Sequence, residues 1–302
     1  MKTIVNGLSR NGGGCKGLIQ LYMDDALHGL YGRDKAYYRN FDYISGTSVG
    51  ALSGALIVLG HSPATCIDIF DKHLPKIFDK KCLRLGLNKP KYDNKYLVEL
   101  AHELLGDKRL GDCRTNFIVP AYNADKDRTK IFKSQDPDDQ DFLLRDVVLA
   151  SAAAPTYFAP VLINGDYYKD GGLSKNNPAD ILSKQARADG ADVVNILSLT
   201  TGSLVGKASR AEIKGGILGA SASFDDILRE QDITVHENVQ YDYNTVYKGK
   251  GLYLRAESII KHSSGKIDDV SEKNIENMKL DGGLSVQANE KLLKLYYINT
   301  LK

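Results

Sequence analysis

A serine, a carboxylate and a run of bare backbone amides are the ingredients of nucleophilic acyl transfer. This chain carries all three, in separate blocks. Ser48 sits in Gly46-Thr47-Ser48-Val49-Gly50, between the apolar stretch Phe41–Ser45 and the apolar run Ala51–Leu59. A serine on a sharp strand-to-helix turn has its hydroxyl pushed clear of the sheet, and flanking glycines let the backbone pass close on either side. The helix that follows aims its first N–H groups and its positive dipole end at the same spot. Asn11-Gly12-Gly13-Gly14-Cys15-Lys16-Gly17 lies between the first strand and the first helix. Its N–H groups make an anion site, and in acyl transfer that anion is the tetrahedral oxyanion. Asp170, in Tyr167-Tyr168-Lys169-Asp170-Gly171-Gly172, closes a predicted strand and can bring a carboxylate to Ser48 if the fold joins them.

Two rival chemistries compete for these residues. Gly12-x-Gly14-x-x-Gly17 also matches the dinucleotide fingerprint, with Asp34 or Asp42 as the distal acid, and would make the chain an oxidoreductase. That reading leaves Ser48 and Asp170 without a purpose. A phosphate-binding P-loop is excluded, because Gly13 stands where the lysine would be. The second rival keeps the hydrolase but adds a histidine in the order Ser…Asp…His, for which His236 and His262 are the candidates.

The elements that must position these blocks alternate along the chain. Thr3–Leu8 reads as a strand and Cys15–Leu30 as a helix with apolar residues at 3–4 spacing. Ser62-Pro63 opens a helix towards Lys72, and Asn94 precedes another, Lys95–Leu105, closed by Gly106. Asn116–Tyr122, Thr129–Lys133 and Leu162–Tyr168 read as strands, Phe142–Ala150 and Pro178–Ala188 as helices. Val193–Leu199 is apolar enough for a strand buried on both faces, and Ser271–Asn299 is mostly helical in pattern. The alternation predicts one α/β domain spanning 1–302, its central sheet covered on both faces.

Composition narrows the function further. At 302 residues and 42% hydrophobic content the chain can bury a sizeable core, and a net charge of +2 argues against nucleic-acid binding through bulk charge. Cys15, Cys66, Cys82 and Cys113 form no metal-type pair and fit a reducing compartment. No apolar run is long enough for a signal peptide or a membrane span, so the expected location is cytoplasmic.

Taken together, the glycine loop, Gly46-Thr47-Ser48-Val49-Gly50, Asp170-Gly171-Gly172 and the stretch Ala150-Ser151-Ala152-Ala153-Ala154-Pro155-Thr156-Tyr157-Phe158 resemble the signature blocks of the patatin-like phospholipases. The resemblance covers about residues 1–200 with motifs. It implies a three-layer α/β/α sandwich with a mostly parallel sheet, and acyl ester hydrolysis of membrane phospholipids or related glycerolipids. It also implies a Ser–Asp dyad acting through an acyl-enzyme, with no metal or cofactor. Carried across, Ser48 is the nucleophile and Asp170 the base; Gly12, Gly13 and Gly14 form the oxyanion loop. Lys16, Gly17, Gly46, Gly50, Gly171 and Gly172 support them. Lys16 stands where the family usually has arginine, and Asn11 where it usually has aspartate.

The resemblance implies a phospholipid or glycolipid surface as partner, with the protein peripheral to it. Lys76–Lys91, mixing basic residues with Ile77, Phe78, Leu83, Leu85 and Leu87, is the candidate contact. Some bacterial proteins of this type are effectors switched on by a nucleotide signal or a protein partner. Residues 201–250 carry no motif and are left for a lid, a regulatory site or a dimer surface. Ser45, Ser53 and Ser151 serve as comparison serines, expected to tolerate alanine.

Overall fold

Eight strands form a single mixed sheet in the order β5-β6-β3-β2-β1-β7-β8, with β4 also paired to β3. The computed structural model describes residues 2–79, 89–202 and 217–301, and within the last range it does not describe the side chains of 217–223 and 225. Five strands run parallel: β1 (Ile4–Arg10), β2 (Tyr43–Gly46), β3 (Asn116–Asn123), β7 (Val193–Leu199) and β8 (Gly251–Ala256). The antiparallel edge is β4 (Arg128–Lys133), β5 (Val161–Ile163) and β6 (Asp166–Asp170).

Alternation along the strands builds a core on each face. Leu8, Ile44, Phe117, Val119, Leu197 and Leu199 face one way, and Val5, Tyr43, Ile118, Val194 and Ile196 the other. The first set packs with α1 (Gly17–Tyr31), α2 (Val49–Leu59), α3 (Pro63–Ile77), α4 (Lys95–Leu105), α5 (Leu144–Ser151) and α9 (Glu272–Thr300). The second packs with α7 (Ala179–Ala188) and α8 (Ile217–Asn244); a short α6 (Gly172–Lys175) follows β6. This is the expected α/β/α sandwich. Because β7 is covered on both sides, its run reads as continuous apolar sequence.

Two expectations are corrected, and a stretch left without a motif is given a structure. The segment 162–168 is a hairpin, not one strand. Asn164 and Gly165 have φ of 49° and 90° between β5 and β6, and Asn-Gly is the dipeptide that tight hairpin turns favour. Of the stretch 201–250, residues 203–216 lie outside the described residues, and Ile217–Asn244 form one long helix. In α8 the buried residues Phe224, Leu228, Val235, Val239 and Tyr243 recur at helical spacing, so the pattern was there to read. The dinucleotide reading fails on geometry. Asp42, one residue before β2, accepts from the backbone of Asn6 at 2.8 Å, and Asp34 is exposed beyond the end of α1. Both lie at the opposite end of the sheet from the glycine loop, where no ribose bound there could meet them.

Of the basic stretch proposed for lipid contact, residues 80–88 lie outside the described residues. Lys91, at its end, is paired with Asp268, and its ammonium sits 5.4 Å from the ring centres of Tyr92 and Tyr157. Among the described residues no helix is long and apolar enough to cross a membrane.

Arg10, the last residue of β1, is fully buried. It pairs with Asp24 of α1 and donates to Ser53 Oγ of α2 at 2.8 and 3.0 Å, while the Tyr37 hydroxyl donates to Asp24 at 2.9 Å. Two helices are thereby tied to the strand that leads into the glycine loop. Removing one partner of a buried pair strands the other charge. Asp24→Ala is therefore expected to lose about 3–5 kcal/mol of stability in urea unfolding, and a loss below about 1 kcal/mol would show the pair to be dispensable.

Candidate active site

The register on β3 brings Ser48 and Asp170 together. β4 pairs with β3 from Ile118 to Asn123 and so occupies one of its edges. The other edge is shared end to end. β2 pairs there with Ser45 opposite Ile118, and β6 arrives from the opposite direction with Asp170 opposite Ala121. The end of β2 and the end of β6 therefore meet head-on, and the turn holding Ser48 fills the gap.

Ser48 has φ 55° and ψ −122°, a conformation that costs a non-glycine residue energy and recurs at catalytic turns. The turn is held by backbone contact. A Cβ on Gly46 would stand 2.3 Å from the Gly50 carbonyl oxygen, and one on Gly50 would stand 2.3 Å from the Arg10 carbonyl oxygen. Thr47 donates its N–H to Arg10 O at 3.1 Å and its hydroxyl to Lys175 O at 2.6 Å. The Ser48 N–H donates to Ser151 Oγ at 3.1 Å, and Ser151 donates onward to Pro120 O at 2.7 Å. Ser151 is thus part of the turn's scaffold and no neutral comparison for it. Ser53 is likewise committed, to Arg10.

Asp170 is 1% exposed. Its Oδ1 accepts from the Gly172 N–H at 2.7 Å, and its Oδ2 is buried without a hydrogen-bond partner among the described residues. Burial pushes the carboxyl up to about 7, against a smaller opposing pull from Gly172 and from the nearby Ser48 hydroxyl. That hydroxyl is close enough to be felt but makes no hydrogen bond to Oδ2 in this structure; such bonds often tighten only when substrate binds. Gly171 is required by crowding, since a Cβ there would lie 2.2 Å from the Pro120 carbonyl oxygen.

The glycine loop faces the same point. A Cβ on Gly12 would come within 3.2 Å of the Ser48 Cβ, and one on Gly17 within 2.4 Å of Val49. The Gly12 N–H is already given to Asn176 O at 3.2 Å, and Cys15 N–H to Ile267 O at 2.8 Å. Gly13 and Gly14 lie between them, and their N–H groups make no hydrogen bond among the described residues. So two of the three expected amides are available to an anion, and Gly12 is not. Thr201 fixes the loop by donating to Gly12 O at 2.7 Å, and Lys16 donates to Gly202 O at 3.1 Å.

An apolar channel opens beside Ser48. Val49, Leu52 and Leu56 of α2, Phe70 and Leu74 of α3 and Leu100 of α4 form much of its wall. Among its lining residues only Ser48, His73 and Tyr157 carry a polar side-chain atom, and His73 Nδ1 is 2.7 Å from the Tyr96 hydroxyl. Sequence reading missed the channel, because its residues are scattered over α2, α3, α4, α8 and the segment around Ala152–Phe158. The two histidines nominated for a triad are elsewhere: His236 lies 3.2 Å from the Tyr253 hydroxyl and His262 is exposed. No histidine bonds to Ser48 or Asp170 among the described residues.

A family model for patatin-like phospholipases matches residues 8–183, which include Ser48, Asp170 and the whole glycine loop. The chain belongs to the patatin-like phospholipase family. Patatin-like protein 2 of Arabidopsis thaliana is 32% identical over 207 residues, 58% of this chain and 51% of that protein, so the match spans about half the relative's length. The cGAMP-activated phospholipase of Vibrio cholerae is 26% identical over 327 residues, covering 93% of this chain and 90% of that one. Among solved structures, VipD from Legionella pneumophila aligns with 97% of this chain and 67% of its own at 15% identity, with a TM-score of 0.48. Membership places the chain among lipid acyl hydrolases.

The raised Asp170 carboxyl has a consequence for stability that needs no substrate. Between its unfolded value of 3.8 and its folded value of about 7, the folded protein holds a proton that the unfolded chain has lost. Stability therefore falls as pH rises through that window, by up to about 1.4 kcal/mol per pH unit. Asp170→Asn removes this dependence. Measured by urea unfolding, it should be more stable than wild type at pH 8, the margin closing towards pH 4. A margin constant with pH would show that Asp170 ionises normally.

Proposed function

We propose that Ser48 and Asp170 act as a catalytic dyad that hydrolyses acyl esters of membrane phospholipids or related glycerolipids. The observation that carries the reading is the buried, partner-poor Asp170 facing Ser48 at the mouth of an apolar channel. Ser48 Oγ attacks the ester carbonyl carbon while Asp170 takes its proton. The oxyanion that forms is received by the Gly13 and Gly14 N–H groups. Asp170 then returns the proton to the departing alkoxide, leaving an acyl-Ser48. Water, deprotonated by Asp170, releases the fatty acid, and Ser48 recovers its proton. A carboxyl near 7 is matched to base work at neutral pH.

The channel supports this substrate class. Its lining offers an alkyl chain burial at about 0.8 kcal/mol per methylene and offers a polar acyl group almost nothing to bond. That chemistry supports a lipid surface as the source of substrate. Control by an activator is supported by the name of the Vibrio cholerae relative alone, and adding cyclic dinucleotide to a vesicle assay reads it directly.

Ser48→Ala and Asp170→Asn should each abolish turnover of a soluble ester and of phospholipid vesicles, to a similar degree because the two act as one unit. His236→Ala and His262→Ala should stay within a few-fold of wild type. A fluorophosphonate probe should label Ser48 by mass spectrometry, and kcat/KM should fall on the acid side of about 7. A histidine variant as dead as Ser48→Ala would replace the dyad with a triad.

Leu52→Trp, filling the channel, should cut the decanoate-to-butyrate turnover ratio at least about tenfold, as the loss of two or more buried methylenes would. An unchanged ratio would remove the channel as the acyl site.

A further inference from the structure

Asn11 stands where the family pattern has aspartate, and its surroundings explain the exchange. It is 1% exposed, and its Nδ2 donates to Asp232 Oδ1 of α8 at 2.6 Å. Asp232 is itself gripped by Arg255 of β8 through both carboxylate oxygens, at 2.6 and 2.9 Å, and Arg255 also pairs with Glu257. One turn earlier in α8, the Leu228 carbonyl accepts from Asn176 Nδ2 at 3.0 Å, and Asn176 O is the acceptor for the Gly12 N–H. Leu228 and Phe224 also line the channel. Residues 224, 228 and 232, spaced by four, thus form one line of α8 laid across the site. Asp232 holds Asn11, just before Gly12, and Leu228 reaches the Gly12 N–H through Asn176.

We propose that Asp232 is a positioning residue for the oxyanion loop, acting through Asn11, and that residue 11 is an amide in this chain because its partner is an acid. The inference rests on the reading of Gly13 and Gly14 as oxyanion donors. An aspartate at 11 would set its carboxylate at hydrogen-bond distance from that of Asp232, and like charges so close cannot both ionise at ordinary cost. The strain falls on the loop, because Asp232 stays with Arg255 while Asn11 is joined directly to Gly12. Loss of one oxyanion donor costs on the order of 10²–10³ in kcat, so a partial misplacement should be easy to detect.

The test is a double-mutant cycle on the full chain with a soluble short-chain ester at pH 8. Asn11→Asp should lower kcat at least about tenfold and leave KM within about threefold, since the chain-binding channel is untouched. Asn11→Asp combined with Asp232→Asn restores one acid and one amide in exchanged places. It should recover to within about threefold of Asp232→Asn alone. Amide hydrogen exchange of residues 12–17, read on the same proteins, should quicken in Asn11→Asp and return in the double variant.

If Asn11→Asp fails to fold, Asp232→Ala takes its place, with the same loss in kcat at unchanged KM expected. An active wild type with Asn11→Asp unimpaired, or a double variant no better than Asn11→Asp, overturns the inference and leaves the Ser48 reading intact. A wild type inert to ester and fluorophosphonate overturns that reading instead. The exchange data still decide the clamp in that case: unchanged loop exchange in Asn11→Asp sinks it.

Discussion

One edge of β3 carries two strands end to end, and the rest of the site depends on that arrangement. β2 climbs it in parallel and stops at Gly46, and β6 descends it antiparallel and stops at Asp170. A strand register slips only in whole residues, and a one-residue slip would turn every side chain to the other face. The gap between Ser48 and Asp170 is therefore fixed by backbone pairing and not by side-chain packing. This explains why the residues around it are so often glycine. Gly46, Gly50 and Gly171 each sit where a Cβ would fall within 2.3 Å of a backbone oxygen, and no rotamer change relieves a clash with backbone.

The site is expensive to hold, and the neighbouring structure offsets the cost. Ser48 occupies a strained backbone region worth about 1–3 kcal/mol. Asp170 is kept from water, with one oxygen unbonded among the described residues. Against these stand the buried Arg10–Asp24–Ser53 brace under the loop, the Thr47 bonds to Arg10 and Lys175, and the Ser151 bridge from the Ser48 amide to β3. Each tie joins elements distant in sequence. That is the condition for strain to persist, because no single local rearrangement can release it.

Much of this was legible in the sequence and some was not, for identifiable reasons. Strand-turn-helix chemistry is local, so Gly46-Thr47-Ser48-Val49-Gly50 announced its own conformation. The buried strand Val193–Leu199 announced its burial by its unbroken apolar run. Ser151 looked like an ordinary serine in an alanine-rich stretch, because its role is a contact with a residue 103 positions away. The Asn164-Gly165 turn is a readable hairpin signal, but the apolar and aromatic residues on both sides of it also fit one continuous strand. Gly12 was grouped with Gly13 and Gly14, since nothing in the triplet reveals that one amide is spoken for by Asn176. α8 escaped notice for a different reason: its buried stripe is interrupted by polar positions such as Asp232, and that polar position makes the contact with the loop.

The same burial serves two ends. A histidine base starts near neutrality, whereas a carboxylate must be raised by about three pH units to work there. Here the increase comes mostly from exclusion of water, with no like charge pressing on Asp170. The elements that exclude that water, α8 through Leu228 against Gly172 and the segment around Ala152 and Ala154, are also walls of the apolar channel. Under the proposed roles, one apolar enclosure both receives the acyl chain and sets the strength of the base. A polar substitution that wets the channel would then weaken chain binding and lower the Asp170 carboxyl together, so substrate range and pH dependence are not free to vary independently in this fold.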